Sequence, residues 1–170
     1  MASSVQSVSV QNVIADVMER EGIDPNDIPE DSYTVDPSNM NQIKRNNRYF
    51  RCKAFASFKE HANCEHTWKS AHAWCVLDLK KQLIAHHWCQ KCKQCEGKCK
   101  PWFDEAALKR MAEYAVKCYL IRIGEREREE LVDADDSDPQ MGPPHDEGRC
   151  DMCKQLGHSC WKKAAASKGL

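Results

Sequence analysis

The chain has 170 residues and a formal net charge of −1, with 30% charged and 8% aromatic residues and a mean hydropathy of −0.73. This length fits one domain, but so polar a composition leaves little apolar material for a self-sufficient core, and eleven cysteines point to stabilisation by metal or disulfides. No stretch combines a basic start with an apolar run, and none approaches the roughly 20 apolar residues that cross a bilayer, so we expect neither secretion nor a membrane span.

Residues 1–40 form an acidic segment with eight acidic residues and one basic residue. Apolar residues recur at helical spacing from Val10 to Met18, Ser9 is able to cap the start, and Gly22 is placed to end the helix. We predict one short amphipathic helix that docks on the rest of the protein rather than on a partner. The prolines and acidic residues that follow it predict a loop or linker.

The sign of the charge then reverses. Residues 41–101 carry thirteen Lys or Arg and four acidic residues, a balance of +9, interleaved with aromatic residues. The rings could simply pack around metal, but concentrated positive charge attracts polyanions and exposed rings can stack unpaired bases. We therefore predict a basic, aromatic-rich face that contacts single-stranded RNA. Its candidate contact residues are Lys69, Lys80, Lys81, Lys91, Lys93, Trp74 and Trp88.

A β-hairpin is predicted in the middle of this basic segment. Apolar residues alternate over residues 71–79 and again over residues 83–89, on either side of a polar turn at residues 80–82. The histidines within these strands are predicted to pack rather than to bind metal; they are His72, His86 and His87. A hairpin returns its two ends to one place, which is the layout of a zinc ribbon.

Eight metal-type ligands occur in short pairs along the chain. Two side chains three positions apart on a tight turn can reach the same ion, and tetrahedral zinc needs two such turns, so eight ligands suit two structural zinc ions. Hairpin closure favours a sequential partition, although an interleaved partition is also open. In the sequential version the first zinc takes His61, Cys64, Cys92 and Cys95, and the second takes His145, Cys150, Cys153 and Cys160.

Two alternatives compete with zinc. One is a disulfide scaffold, against which stand the odd number of cysteines and the missing secretion signal, so we expect a reducing compartment, the cytoplasm. The other is an iron–sulfur cluster on Cys89, Cys92, Cys95 and Cys99, a run that departs from the ferredoxin pattern at Lys100. Most of the remaining cysteines are predicted to be small core residues; with Cys89 and Cys99 they are Cys52, Cys75 and Cys118. Cys99 or Cys89 would be the substitute ligand if Cys160 or His61 does not coordinate.

The second half of the chain begins with a helix after Pro101, which Asp104 can cap and Gly124 can end. Residues 125–148 are rich in acidic residues and proline and predict a solvated loop. We expect three regions: an acidic segment (1–40), a zinc-binding domain that contains this loop (41–160), and a basic tail (161–170).

Several motifs together resemble the three-CxxC zinc-finger family. They are Phe55 and Phe58 before the first pair, Cys64-x3-Trp68-x-Ser70-Ala71, Gln90-x-Cys92-x-x-Cys95 followed by Pro101, and His145-x4-Cys150-x-x-Cys153 with Gly157 before Cys160. The arrangement is most similar to receptor-transporting proteins and more distantly to zygote arrest proteins. His61 stands where the family has a cysteine, and imidazole is also a competent zinc ligand.

The resemblance implies two alternative functions. Receptor-transporting proteins help odorant and taste receptors reach the cell surface, whereas zygote arrest proteins and some receptor-transporting proteins bind RNA. The basic segment favours a non-enzymatic module that binds RNA, and a receptor-binding adaptor is the alternative. The expected fold is α+β: a small zinc-ribbon-like hairpin with a packed helix and two structural zinc sites. An enzyme is not expected, because eight ligands on two zinc ions leave no open position for water.

Overall fold

The computed structural model describes residues 2–30, 34–44, 46–61, 64–127 and 145–160. In these ranges two helices precede five consecutive strands and two helices follow them, and two short 3-10 turns lie at Pro25–Asp27 and Glu147–Arg149. The elements are α1 Ala2–Arg20, α2 Met40–Ile43, β1 Tyr49–Phe58, β2 Trp68–Asp78, β3 Leu83–His87, β4 Gln90–Lys91, β5 Lys98–Cys99, α3 Glu105–Arg122 and α4 Asp151–Leu156. This mixture of helices with small antiparallel sheets confirms the predicted α+β class.

The central strand β2 pairs with β1 on one side and β3 on the other, antiparallel in both cases. Phe58 of β1 lies opposite Trp68 of β2. The turn from β2 to β3 is held by Asp78, whose Oδ1 accepts hydrogen bonds from the backbone N–H groups of Lys80 (3.0 Å) and Lys81 (3.1 Å). The predicted hairpin is therefore confirmed.

Strand β1 is absent from the sequence prediction. Its buried residues do alternate, at Phe50, Cys52, Ala56 and Phe58, but two of the four are small and give a weak apolar signal. A shift in register between Ala54 and Ala56 also interrupts the pairing with β2. The segment is recognisable as a strand only from its pairing with β2, which lies later in the sequence.

Helix α3 begins and ends where the sequence predicted. The side chain of Asp104 accepts a hydrogen bond from Ala107 N–H at 2.8 Å, and Gly124, with φ of +82°, follows the last turn. Met111 and Ala115 are almost fully buried where the helix packs against the sheet. The capped helix predicted after Pro101 is confirmed.

Helix α1 begins at Ala2, so Ser9 lies within the helix instead of capping its start. Ile14 and Met18 are each 1% exposed and lie in one core with α3 and the sheet. Gly22 follows the helix with φ of +70°, a conformation that glycine adopts without strain. Within the described ranges, no helix has the length and apolar character needed to cross a membrane.

The described part of the segment between α1 and β1 is mostly loop, but it packs into the core and is not a linker. Ile28 is completely buried, and Val35 and Met40 are 7% and 8% exposed. The side chain of Asn39 caps α2 by accepting a hydrogen bond from Asn41 N–H at 3.0 Å. The apolar residues here follow no regular period, which explains why the sequence pattern missed their burial.

The two faces of the main sheet carry different layers. Cys75 and Leu77 of β2 lie in the large core with α1 and α3, whereas Val76 lies in a smaller cluster with Trp88 and Met152. Successive side chains of a strand point to opposite faces, which accounts for this division. The second face is therefore covered by α2, α4 and the chain around them.

A buried ion pair ties β1 to β2 near the hairpin turn. Arg48 Nε and Nη2 donate to the two carboxylate oxygens of Asp78, each at 2.9 Å. The side chains are 8% and 2% exposed. Two parallel charge-assisted hydrogen bonds fix the register at this end of the sheet.

Candidate metal centres

The first cluster, called centre 1, consists of His61, Cys64, Cys92 and Cys95. Their ligand atoms all lie within 4.8 Å of one another, and Cys64 Sγ is 3.8 Å from Cys92 Sγ. Two thiolates at about 2.3 Å from a tetrahedral zinc ion are themselves about 3.8 Å apart. The separation of these two sulfur atoms therefore fits a shared zinc ion.

The turn between β4 and β5 presents Cys92 and Cys95 to the metal. Gln94 N–H lies 3.3 Å from Cys92 Sγ, and Gly97 N–H lies 3.4 Å from Cys95 Sγ. Hydrogen bonds to sulfur favour the thiolate form that zinc requires. Glu96 has φ of +59°, and a Cβ atom on Gly97 would lie 3.2 Å from Cys95 Sγ. The close approach of backbone to sulfur explains the glycine.

His61 provides the strongest indication of a metal at centre 1. The residue is 6% exposed, and neither Nδ1 nor Nε2 has a hydrogen-bond partner among the described residues. A buried polar atom without a partner costs about 1–3 kcal/mol. The edge of its ring meets Trp68, with centroids 5.5 Å apart and an interplanar angle of 77°. Coordination of zinc by one ring nitrogen would satisfy that atom, so these residues fit the metal.

The second cluster, called centre 2, consists of His145, Cys150, Cys153 and Cys160, again with all ligand atoms within 4.8 Å of one another. His145 Nε2 lies 3.4 Å from both Cys153 Sγ and Cys160 Sγ. A nitrogen and a sulfur on one tetrahedral zinc are about 3.6 Å apart, so this separation also fits zinc. Cys160 N–H lies 3.2 Å from Cys153 Sγ and supports the thiolate.

One thiol in each centre is already stabilised as a thiolate. Burial would raise the pKa of Cys92, but the N–H groups of Cys95 and Gln94 lower it to about 6. In centre 2, a hydrogen bond from Cys160 lowers the pKa of Cys150 to about 4, and the same contact raises the pKa of the Cys160 thiol. Both centres thus hold a preformed negative charge for a cation.

The two centres are joined to each other. Arg149 Nη1 donates to the Cys92 carbonyl at 3.0 Å, and its other nitrogens contact Glu96 (2.9 Å) and Asp146 (3.2 Å). A β-bridge links Gln90 to Cys150. Both connections attach the chain that carries centre 2 to the knuckle of centre 1.

All eight predicted ligands are thus brought together, and they divide in the sequential order. The prediction of two zinc ions as cofactors is confirmed, because both clusters match zinc in ligand type and the chain matches a zinc-binding family, as described below. The iron–sulfur alternative is wrong: Cys92 and Cys95 cluster with His61 and Cys64 instead of with Cys89 and Cys99. None of the eleven cysteines is paired in a disulfide, so the disulfide alternative also fails.

The cysteines outside the centres have other surroundings. Cys52 and Cys75 are buried opposite each other in β1 and β2, within the large core. Burial raises the pKa of both thiols and keeps them neutral. Cys99 is buried as well, with its sulfur 3.4 Å from the Glu60 carbonyl. Cys89 and Cys118 are half-buried.

The predicted RNA-contact residues fall into two groups. Lys69, Lys91 and Lys93 line one cavity, whereas Lys80 and Lys81 lie at the turn between β2 and β3. Lys80 Nζ donates to the Ile28 carbonyl and lies 3.8 Å from Glu30. The turn is therefore separate from the cavity, and Lys80 is already engaged there.

Neither predicted tryptophan has an exposed ring without contacts to the rest of the protein. Trp88 is 4% exposed and packs in the smaller cluster, so its proposed role in stacking bases is wrong. Trp74 is half-buried, with Arg51 Cζ 4.6 Å and Lys53 Nζ 5.2 Å from its ring centroid. The protein's own cations therefore occupy the ring of Trp74.

The cavity lies between the two centres and has a volume of about 230 Å³. The sequence pattern did not predict that His66 or Arg149 belongs to a site. For Arg149, its position directly before the ligand Cys150 is the one feature of the sequence that could have indicated a role there. The lining comes from β2, the knuckle of centre 1 and the start of centre 2: His66, Trp68, Lys69, Ser70, Gln90, Lys91, Lys93, His145, Asp146 and Arg149.

A chain of hydrogen bonds forms the floor of this cavity. Trp68 Nε1 donates to Gln90 Oε1 at 3.0 Å, and Gln90 Nε2 donates to Ser70 Oγ at 3.3 Å. These three residues are among the positions outside the metal ligands that carried the family resemblance. Their role is to fasten β4, and with it the knuckle of centre 1, to β2.

Comparison with known proteins agrees with this geometry. Residues 53–156 match the zinc-ribbon 3CxxC family, which is described as a zinc-binding domain. The matched range covers more than half of the chain and includes seven of the eight ligands, with Cys160 just beyond it. No curated protein and no solved structure matches the chain.

Proposed function

Because this chain belongs to the zinc-ribbon 3CxxC family of zinc-binding domains, we propose that both of its metal centres are structural and that they support a surface for single-stranded RNA. Each centre offers four protein ligands to one ion. A catalytic zinc keeps one position for water or substrate, and four protein ligands fill a tetrahedral site. The metals therefore act on the fold, and the protein is a binding module instead of an enzyme.

The observation that carries the RNA proposal is the convergence of three lysines on one face. Lys69 comes from β2, and Lys91 and Lys93 come from the knuckle of centre 1. In the part of the chain that the structure describes, no carboxylate lies within ion-pair distance of these three amines. Unpaired cations gathered in this way attract the phosphates of a nucleic acid.

The resemblance in sequence supports the same proposal. Trp68, Ser70 and Gln90 fit the pattern of receptor-transporting and zygote arrest proteins, and RNA binding occurs in both groups. None of the eleven cysteines forms a disulfide, which suits a reducing compartment, and we place the protein in the cytoplasm.

Fluorescence anisotropy with labelled decauridylate and the zinc-loaded chain tests this function. Three phosphate contacts on a single strand predict a slope of log affinity against log salt near −2, from about −0.7 per contact. Removing zinc with a chelator should abolish binding, because the lysines of the knuckle depend on the metal for their position. Absence of binding at low salt, or binding that does not change with salt, would refute the proposal.

Trp102 favours a second candidate, an adaptor for membrane receptors. Its side chain is 37% exposed, among the few large apolar side chains at the described surface, and Lys59 Nζ lies 4.1 Å from its ring centroid. Backbone hydrogen bonds with Ser57 hold it at the edge of β1. Recovery of helical membrane proteins from RNase-treated lysate by the wild-type chain, but not by Trp102→Ala, would favour this adaptor over RNA binding.

A further inference from the structure

We propose that the cavity between the two metal centres holds one unpaired nucleotide of the bound strand, with its phosphate beside the lysines and its base against His66. This inference rests on the proposed RNA-binding function and assigns it to one site. A volume of about 230 Å³ lies just below the range of about 300–1,000 Å³ for small-molecule pockets. The space therefore admits no more than a single nucleotide and is too small for a duplex.

The charge of the lining selects an anion. Lys69, Lys91 and Lys93 reach the cavity without a carboxylate partner among the described residues. Arg149 also lines it, but its charge is offset by Glu96 and Asp146 at 2.9 and 3.2 Å. The three lysines consequently supply the net positive charge, and Arg149 serves to hold the wall in place.

An aromatic stack leads into the cavity from the core. Phe58 lies parallel to Trp68, with centroids 5.1 Å apart and an interplanar angle of 1°. His66 stacks with Trp68 at 5.7 Å and 22°. Phe58 is completely buried, whereas His66 is half-buried and lines the cavity. A base placed against His66 would extend a stack that already exists, and such stacking tolerates any base.

The polar groups of the floor are engaged with one another. Gln90 accepts from Trp68 and donates to Ser70, so its amide is not free to pair with the edge of a base. Recognition then depends on phosphate charge and stacking, and we expect little preference for base identity. A nucleoside that lacks the phosphate should bind poorly.

The walls of the site come from both metal centres. Lys91 and Lys93 flank Cys92, and His145 and Asp146 belong to the chain of centre 2. Loss of either metal would displace one wall. The site therefore exists only in the form that contains both zinc ions.

Charge reversal of the cavity tests this assignment in the full zinc-loaded chain. The variant is K91E/K93E, and the matched control is K109E/R110E, which makes the same change of charge on exposed positions of α3 outside the cavity. Binding of labelled decauridylate should fall at least about tenfold in the cavity variant, and its salt slope should lose about 0.7 for each lysine removed. The control should stay within about threefold of wild type.

Three further measurements complete the test. His66→Ala should weaken binding at least about fivefold through lost stacking. Uridine 5′-monophosphate should shift backbone NMR signals of Lys91 and Lys93 more than uridine does. Zinc analysis must give two ions per chain for each variant. If K91E/K93E binds fewer, K91Q/K93Q takes its place, and its affinity for decauridylate should also fall.

The outcomes separate the site from the function. Equal losses in the cavity and control variants, or equal effects of the nucleotide and the nucleoside, would overturn the nucleotide site and leave RNA binding in place. If the wild-type chain does not bind decauridylate at low salt, the proposed function fails, and the site fails with it.

Discussion

The contribution of His61 to centre 1 can be tested by a pair of substitutions. His61→Ala removes one of four ligands, whereas His61→Cys replaces imidazole by the thiolate that the family has at this position. Structural zinc sites bind with about 10–16 kcal/mol, so one of four ligands contributes roughly 3 kcal/mol. We therefore expect His61→Ala to weaken zinc binding at centre 1 by about a hundredfold.

The packing of the His61 ring predicts a further loss of zinc affinity in His61→Ala. The ring is 6% exposed and packs edge-on against Trp68, so its removal also leaves a void beside the aromatic stack. His61→Cys should restore most of the affinity, because sulfur is also a zinc ligand. The restored ligand should return the knuckle and Trp68 to their positions.

Competition with a chromogenic zinc chelator measures both effects. Wild type and His61→Cys should release two zinc ions at similar chelator concentrations, and His61→Ala should release one ion much earlier. Cys118→Ser is the control, since this half-buried thiol of α3 belongs to neither centre. If His61→Ala keeps both ions with wild-type affinity, His61 is not a ligand and the geometry of centre 1 has been misread.

Three other predictions follow from local geometry. Asp78→Ala removes both 2.9 Å hydrogen bonds of the buried Arg48 guanidinium, which also lies 3.8 Å from the carboxylate of the exposed Glu30. The change should lower the free energy of unfolding by about 3 kcal/mol in urea titrations, whereas Asp16→Ala at an exposed position should have little effect. Burial lowers the pKa of His87 from 6.5 to about 4, so the unfolded chain binds a proton at this histidine at a higher pH than the folded chain does. Protonation therefore favours unfolding, and the free energy of unfolding should fall by about 2 kcal/mol between pH 7 and pH 5. His87→Asn should make that decline shallower by the same amount, and an unchanged pH profile would contradict this explanation. Gly97→Ala would bring a methyl group to 3.2 Å from Cys95 Sγ and should weaken zinc binding at centre 1 by about 1–3 kcal/mol while centre 2 keeps its affinity in the same chelator assay.

The metal ligands were predictable because their chemistry is local. Cys92 and Cys95 share one turn, and Cys150 and Cys153 share another, so the spacing in sequence already determines which side chains can reach one ion. The partition between centres needed only one long-range assumption, the closure of the hairpin. That assumption holds because β2 and β3 pair directly.

The shape of the proposed RNA-binding face was not predictable in the same way. Composition showed that lysines and aromatic residues share one segment. Which of these side chains face solvent depends on the alternation of side chains along each strand and on how the rings pack in the core. Trp88 is buried in the smaller cluster, and Lys80 contacts the segment after α1. Arg149 reaches the cavity from a position 57 residues after Cys92, which the two knuckle lysines flank, and no periodicity in sequence indicates that contact.

The two cores of the protein differ in their dependence on metal. The large core of α1, α3 and the sheet contains no ligand of either centre, whereas the smaller cluster includes Cys150, Cys153 and Cys160 themselves. Loss of zinc should therefore dismantle the smaller cluster and the cavity before the large core, which has its own buried apolar side chains. A chain with so little apolar material is expected to be largely unfolded without metal, but in this structure that dependence applies to the face that carries the lysines more than to the helices behind it. Zinc thus acts on the proposed binding surface most directly.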